Sequence, residues 1–236
     1  MRNCSWLLST CFLLITAFAN AQVSEIARQL GLGSQLSDTK ISSGLKQALQ
    51  IGADQAVKVT GRPDGYFANQ EIKILMPSNL RPLEKGLRMI GYGPKIDDFV
   101  LSMNRAAEAA APAARKIFID AITAMTINDA RGILSGGDTA ATNYFKEKTT
   151  PQLTSAFRPV VERTMAKNGV TQQYNALAQQ YKSIPFAKNQ DLDISHYVVS
   201  KALDGLFFEL GQEERKIRKD PAAQTTNLLK EVFGRR

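Results

Sequence analysis

An all-α fold, organised as a single-domain multi-helix bundle with one short extended segment near residues 71–76, is predicted by three features of the sequence. Apolar residues recur at i, i+4, i+7 and i+8 through several long runs, the period of a helix with one buried face. Those runs are separated by N-cap residues, glycines and prolines at the spacings that start and stop helices. Only Glu71-Ile72-Lys73-Ile74-Leu75-Met76, ended by Pro77, reads as extended, and no second stretch offers it a partner strand.

Met1-Arg2-Asn3 is followed by an apolar run from Trp6 to Phe18 and then by Ala19-Asn20-Ala21, the pattern of a secretory signal peptide with its cleavage site. Residues 1–21 are therefore expected to be removed, residues 22–38 to form a flexible leader and residues 39–236 to form the helical domain. Cys11, preceded by the bulky Thr10 and followed by more apolar residues, makes a poor lipidation site. Cleavage removes Cys4 and Cys11, so the processed chain is expected to have no disulfide, thiol nucleophile or cysteine metal ligand. A chain of this length buries enough apolar surface to fold without such staples. The net charge of the whole chain is +8; without Arg2 it is +7, which favours solubility and contact with anionic surfaces.

The helices follow in order. Ile41 to Val59 forms the first, closed by Gly61, and Leu80 to Ile90 the next, capped by Ser78 and closed by Gly91. An Ala-rich helix covers Ile96 to Ala111. Ala114, Phe118, Ala121, Ile122 and Met125 mark another, with Pro112 suited to its first turn. Thr126 and Asp129 form a capping-box pattern for a short helix ending near Leu134. Leu153, Phe157, Val160, Val161 and Met165 predict a helix after Thr150-Pro151, kinked at Pro159. Val170, Tyr174, Leu177, Ala178 and Tyr181 predict one behind Thr171. The longest runs from Ile194 to Lys219, apolar on most sides at first and almost wholly charged after Gly211, where it is expected to leave the core. Asp220-Pro221 breaks it, and Leu228, Leu229, Val232 and Phe233 give a short last helix something to dock with.

GLKQAL at Gly44–Leu49, SMNRAAE at Ser102–Glu108, ILSG at Ile133–Gly136 and KALDGLF at Lys201–Phe207 together resemble the domain-of-unknown-function 4197 family of exported bacterial proteins, over about Ile41 to Gly234. The resemblance implies a helical domain in the envelope of a Gram-negative bacterium and carries no catalytic residues over. With the leader, it predicts a periplasmic location. The chain departs from lipoprotein-like members in lacking a good lipobox.

Each cluster that could carry chemistry has a plainer reading. Gly136-Gly137-Asp138 follows a helix rather than a strand and lacks a P-loop lysine, so it reads as a joint, with Gly136 in a left-handed position and Asp138 as N-cap of the next helix, not as a phosphate cradle. His196 is the only histidine; a triad through it, with Asp191 or Asp193, lacks a G-x-S-x-G elbow, and it reads as a surface or half-buried side chain. One histidine and no processed cysteine cannot supply the usual zinc set, and neither metal nor cofactor is expected.

Asn104, Arg105 and Glu108, set among alanines, either form a satisfied buried network or line a ligand pocket. The functional expectation is a non-catalytic binding module for a hydrophobic ligand or an envelope partner, with Phe99, Phe118, Phe145, Phe157, Phe207 and Phe208 available to wall a cavity. The alternative is a carboxylate-dependent hydrolase with Glu108 as base and Arg105 as charge stabiliser. Arg215, Lys216, Arg218 and Lys219 form a basic tail, read as a solvated surface or as a peripheral contact with anionic lipid. Export makes nucleic acid an unsuitable partner.

Overall fold

A computed structural model describes residues 38–167, 193–224 and 226–233. The leader, Asp191 and the run from Val170 to Tyr181 lie outside the described residues. By contact density the chain divides into two units, Met1–Ile41 and Ser42–Arg236. Of the first, only Asp38–Ile41, the opening of a helix, is described.

Every regular element among the described residues is a helix, with no strand among them. Helix α1 spans Asp38–Gly61, α2 Arg81–Met89, α3 Gly93–Ala110, α4 Ala114–Ala124, α5 Ile127–Ser135, α6 Ala140–Lys167, α7 Ile194–Lys219 and α8 Asn227–Phe233. Helix α6 packs along α7, α3 and α4, and α3 also touches α7. Where α4, α6 and α7 meet, Phe118 stands edge-on to Phe145 at 5.1 Å between ring centroids and lies 6.2 Å from Phe207. The aromatic residues expected to wall a cavity thus largely fill the core. On α3 and the turn after it, Ala106, Ala107, Ala110 and Ala111 are fully buried; side chains this small let neighbouring helices approach closely.

Local signals explain most boundaries. The Thr126 hydroxyl accepts from the Asp129 N–H while Asp129 accepts from the Thr126 N–H, a complete capping box that starts α5. Both the N–H and the hydroxyl of Thr126 hold the Asp129 carboxyl below its ordinary value. Asp193 caps α7 by accepting from the His196 N–H. Helix α2 closes on Gly91, at φ +90°, with Tyr92 N–H donating to Leu87 O and Gly91 N–H to Arg88 O, a Schellman arrangement.

Four boundary expectations are corrected. Ser78 does not cap α2 but opens a 3-10 turn, Ser78–Leu80, ahead of it, and no side chain caps either element. Gly136 is extended (φ −78°, ψ 176°) rather than left-handed. Helix α6 begins at Ala140, not after Pro151, and continues through both Pro151 and Pro159. Each proline withholds one helical N–H, and the hydroxyls of Thr149, Thr150, Thr154 and Ser155 bond carbonyls one turn back in the same stretch. Finally, α7 does not leave the core at Gly211: Gly211, Glu214 and Ile217 are buried. A Cβ placed on Gly52 of α1 would meet Ile217 at 3.6 Å, so α1 covers that end of α7. Leu229 and Phe233 of α8 are buried as expected.

Candidate functional site

Asn104 and Glu108 stand one turn apart on α3, both buried, and both face the connection between α1 and α2. Residues 73–77 of that connection are neither helical nor paired in a ladder, so their backbone groups need partners. Asn104 supplies two of them. Its Oδ1 accepts from Ile74 N–H at 2.8 Å, and its Nδ2 donates to Ile74 O at 2.8 Å and to Val100 O at 2.7 Å. The amide side chain does the work of a neighbouring strand for Ile74; of the expected extended segment, Glu71 and Ile72 instead belong to a turn, with Ile72 N–H donating to Asn69 O at 3.2 Å.

Glu108 holds the start of the same connection. Its Oε1 accepts from the N–H groups of Tyr66 (3.1 Å) and Phe67 (3.2 Å), and its Oε2 accepts from Arg105 Nη1 at 2.6 Å. Arg105, about one third exposed, also donates to Asp64 at 2.7 Å. Helix α7 grips the connection from the other side. Tyr66 donates to Ala202 O at 2.6 Å, Asn69 to Glu209 at 2.8 Å, and Tyr197 to Leu75 O at 2.9 Å. Arg105 and Glu108 are thus joined as an ion pair, and Asn104 lies one turn from Glu108 on the same helix without a hydrogen bond to either. Each also reaches the 62–77 connection: Asn104 at Ile74, Arg105 at Asp64, and Glu108 at Tyr66 and Phe67.

Tyr66 is completely buried. Burial first, then the nearby Glu209 and Glu108 carboxylates, push its phenol far above its ordinary value of 10. A group whose folded value is raised contributes stability that is intact below the unfolded value and is lost as pH rises beyond it. Unfolding stability is therefore expected to decline above about pH 10, because the unfolded chain ionises while the folded one does not. Tyr66→Phe should lower the whole curve and flatten its alkaline slope. Urea midpoints across that range test this, and an unchanged slope would show that Tyr66 is not the linked group. Some slope should remain, since burial raises Tyr144 and Tyr197 in the same direction.

A second polar cluster lies at the α5–α6 joint, and the sequence reading missed it. Glu214 of α7 is buried and accepts from Ala141 N–H at 2.9 Å and from Thr142 N–H and hydroxyl at 2.8 Å each. It thus occupies the N-terminus of α6, where a carboxylate meets unpaired N–H groups and the positive end of the helix dipole. Arg218, its side chain 7 % exposed, pairs with Glu214 through Nε and Nη2 and donates from Nη2 to Ile133 O at 2.8 Å, near the end of α5. Its Nη1 is buried and makes no hydrogen bond. The joint is no phosphate cradle: the chain's own carboxylate sits on its amides. Nor does Asp138 cap α6 as expected; it pairs with Lys219, whose ammonium holds its carboxyl below the ordinary value.

The four basic residues of the tail are accordingly in different settings. Arg218 is not on the surface, Lys216 pairs with Glu213 at 2.6 Å, Lys219 pairs with Asp138, and Arg215 is half-buried. A small cavity of about 20 Å³ lies beside the Glu214–Arg218 pair, lined by Leu45, Leu49, Phe145, Leu210, Ile217 and Phe233 among others. That is room for about one water, not for an acyl chain. His196 is exposed, with Arg158 Nη2 3.4 Å from its Nδ1 and Asp193 engaged at its N–H. Among the described residues no group of three or more His, Cys, Asp or Glu is placed to hold a metal, and no helix is long and apolar enough to cross a membrane.

The profile of one protein family, described as a protein of unknown function (DUF4197), matches residues 35–234. The chain belongs to that family. The match takes in α3, the 62–77 connection and the α5–α6 joint alike, so the whole described bundle is the DUF4197 domain. No curated protein and no solved structure matches this DUF4197 chain.

Proposed function

We propose that this DUF4197 protein is a non-catalytic interaction module of the bacterial envelope, one that presents its surface to a partner rather than enclosing a ligand. The observation that carries this reading is the use to which Asn104, Arg105 and Glu108 are put. Glu108, the best-placed carboxylate for general-base work, has one oxygen on two backbone N–H groups and the other on Arg105. A base must reach the proton it abstracts, and this one is turned into the fold. Among the described residues, the cavity beside Phe145 has room for about one water and Phe118 packs on Phe145 and Phe207, which supports a surface role. The periplasmic setting comes from the leader sequence, and a surface-presenting module suits it.

Glu108→Gln separates the two roles. The glutamine oxygen still accepts from Tyr66 and Phe67, but its NH₂ faces the Arg105 donor, so the variant should lose about 1–3 kcal/mol, several degrees in Tm. Ester, phosphate and glycan hydrolysis should show no turnover that depends on this carboxylate. Wild-type turnover abolished in a folded Glu108→Gln variant would overturn the reading and restore the hydrolase. Stoichiometric lipid found by mass spectrometry after native purification would replace the partner with a ligand.

A further inference from the structure

The end of α2 and the turn into α3 carry the most exposed large apolar side chains among the described residues. Met89 is 82 % and Ile90 67 % exposed, at the point where Gly91 (φ +90°) reverses the chain. Isolated exposed apolar residues are ordinary, but two large ones in succession on the outside of a tight turn form a small projecting wedge. From Lys85 to Lys95 the sequence is Lys-Gly-Leu-Arg-Met-Ile-Gly-Tyr-Gly-Pro-Lys, which holds Lys85, Arg88 and Lys95 and no acidic residue. Arg81 adds a further cation one turn before Lys85, and both are exposed. Tyr92, half-buried, follows the wedge with the Lys95 ammonium 5.1 Å from its ring centre. The acidic groups nearby lie outside this run. Glu84 and Asp97 are both drawn onto Arg88, at 3.0 and 2.7 Å, and Asp98 is one residue further into α3.

We infer that the Met89–Ile90 turn is a membrane-contact tip that inserts its two apolar side chains into an anionic bilayer surface while Arg81, Lys85 and Lys95 lie among the headgroups. Charge decides the occupant. An apolar pair flanked in sequence by the exposed Lys85 and Lys95, with an amphipathic tyrosine at its base, matches the layered chemistry of an interface in which acyl chains lie beneath anionic headgroups. The tail cannot take this role as readily, because Arg218 is buried and Lys216 and Lys219 are already paired. The inference rests on reading the chain as an interaction module, and it names the surface and the partner.

The test uses the full chain carrying Ile90→Trp on a Trp6→Phe background, which leaves the introduced indole as the sole tryptophan. With vesicles of phosphatidylcholine and phosphatidylglycerol, its emission should shift to the blue and be quenched by lipids brominated along their acyl chains. Phosphatidylcholine vesicles alone should give neither change, and added salt should weaken both. In the natural background, Met89→Asp with Ile90→Asp should lower the partition coefficient at least about tenfold, whereas Arg215→Gln with Lys216→Gln should leave it within about twofold. An indole that stays unquenched overturns the inference whether or not the chain sediments with vesicles, since binding through the N-terminal apolar run would leave the tip in water. An indole protected only by an added envelope protein would also overturn it, while leaving the interaction-module reading in place. Glu108-dependent turnover would remove that reading and leave the tip measurement untouched.

Discussion

Glu214→Leu should lower the unfolding free energy by about 3–5 kcal/mol, and Tm by roughly 10 °C or more for a domain of this size. The substitution leaves Arg218 charged, with its side chain only 7 % exposed and its main partner gone. It also orphans the N–H groups of Ala141 and Thr142 at the start of α6. Arg218→Leu alone should cost less, because Glu214 keeps three donors on α6 while only Ile133 O loses a partner. The two changes together should cost less than Glu214→Leu by itself, since no charge then remains buried without a counter-ion. Urea unfolding of the four proteins gives the cycle. If the double variant lost as much as the sum of the two singles, the pair would be uncoupled and its role at the joint disproved.

The ease with which each of these features can be read from sequence follows from the range of the interaction that makes it. The capping box at Thr126 and Asp129 and the start of α7 behind Asp193 depend on residues three apart, so they are written in adjacent letters. The trio on α3 was visible as polar residues among alanines, but not what it binds. Asn104 and Glu108 meet backbone N–H and C=O groups 30 and some 40 residues away, and backbone groups look the same in every sequence. Glu214 was hidden by its neighbours. In Gly211-Gln-Glu-Glu-Arg-Lys-Ile-Arg-Lys the density of charge suggests solvent on all sides, yet Leu203, Leu210, Glu214 and Ile217 continue one helical face. A single carboxylate on an apolar stripe, four residues before an arginine, is the signal that would have found the pair. Pro151 misled for a related reason: tertiary packing of Phe145, Leu153, Phe157 and Val161, all fully buried, carries α6 through it despite the missing helical hydrogen bond.

Gly65→Ala should be the most damaging one-carbon change in the connection, at about 3 kcal/mol or more. Arg62-Pro63-Asp64-Gly65 is a tight turn, with Gly65 N–H donating to Arg62 O at 2.9 Å and Asp64 in the left-handed region at φ 61°. A Cβ on Gly65 would run into the carbonyl oxygens of Val59, of Thr60 at 2.6 Å and of Arg62 at 2.9 Å. These are backbone atoms at the end of α1, so no rotamer change relieves the contact. The turn has to open, and the next two residues, Tyr66 and Phe67, are the ones that satisfy Glu108. The steric penalty therefore spreads to a buried carboxylate and to the Tyr66 phenol, which should begin to titrate nearer its ordinary value of 10. Gly86→Ala and Gly132→Ala supply the contrast. Both glycines are helical, with nothing within 4 Å of an added Cβ, and alanine should stabilise each by about 0.5–1 kcal/mol. The same atom added at three places should thus change sign with the space around it. Denaturant unfolding compares them directly, and a Gly65→Ala protein as stable as wild type would show that the 62–77 connection is not anchored through this turn.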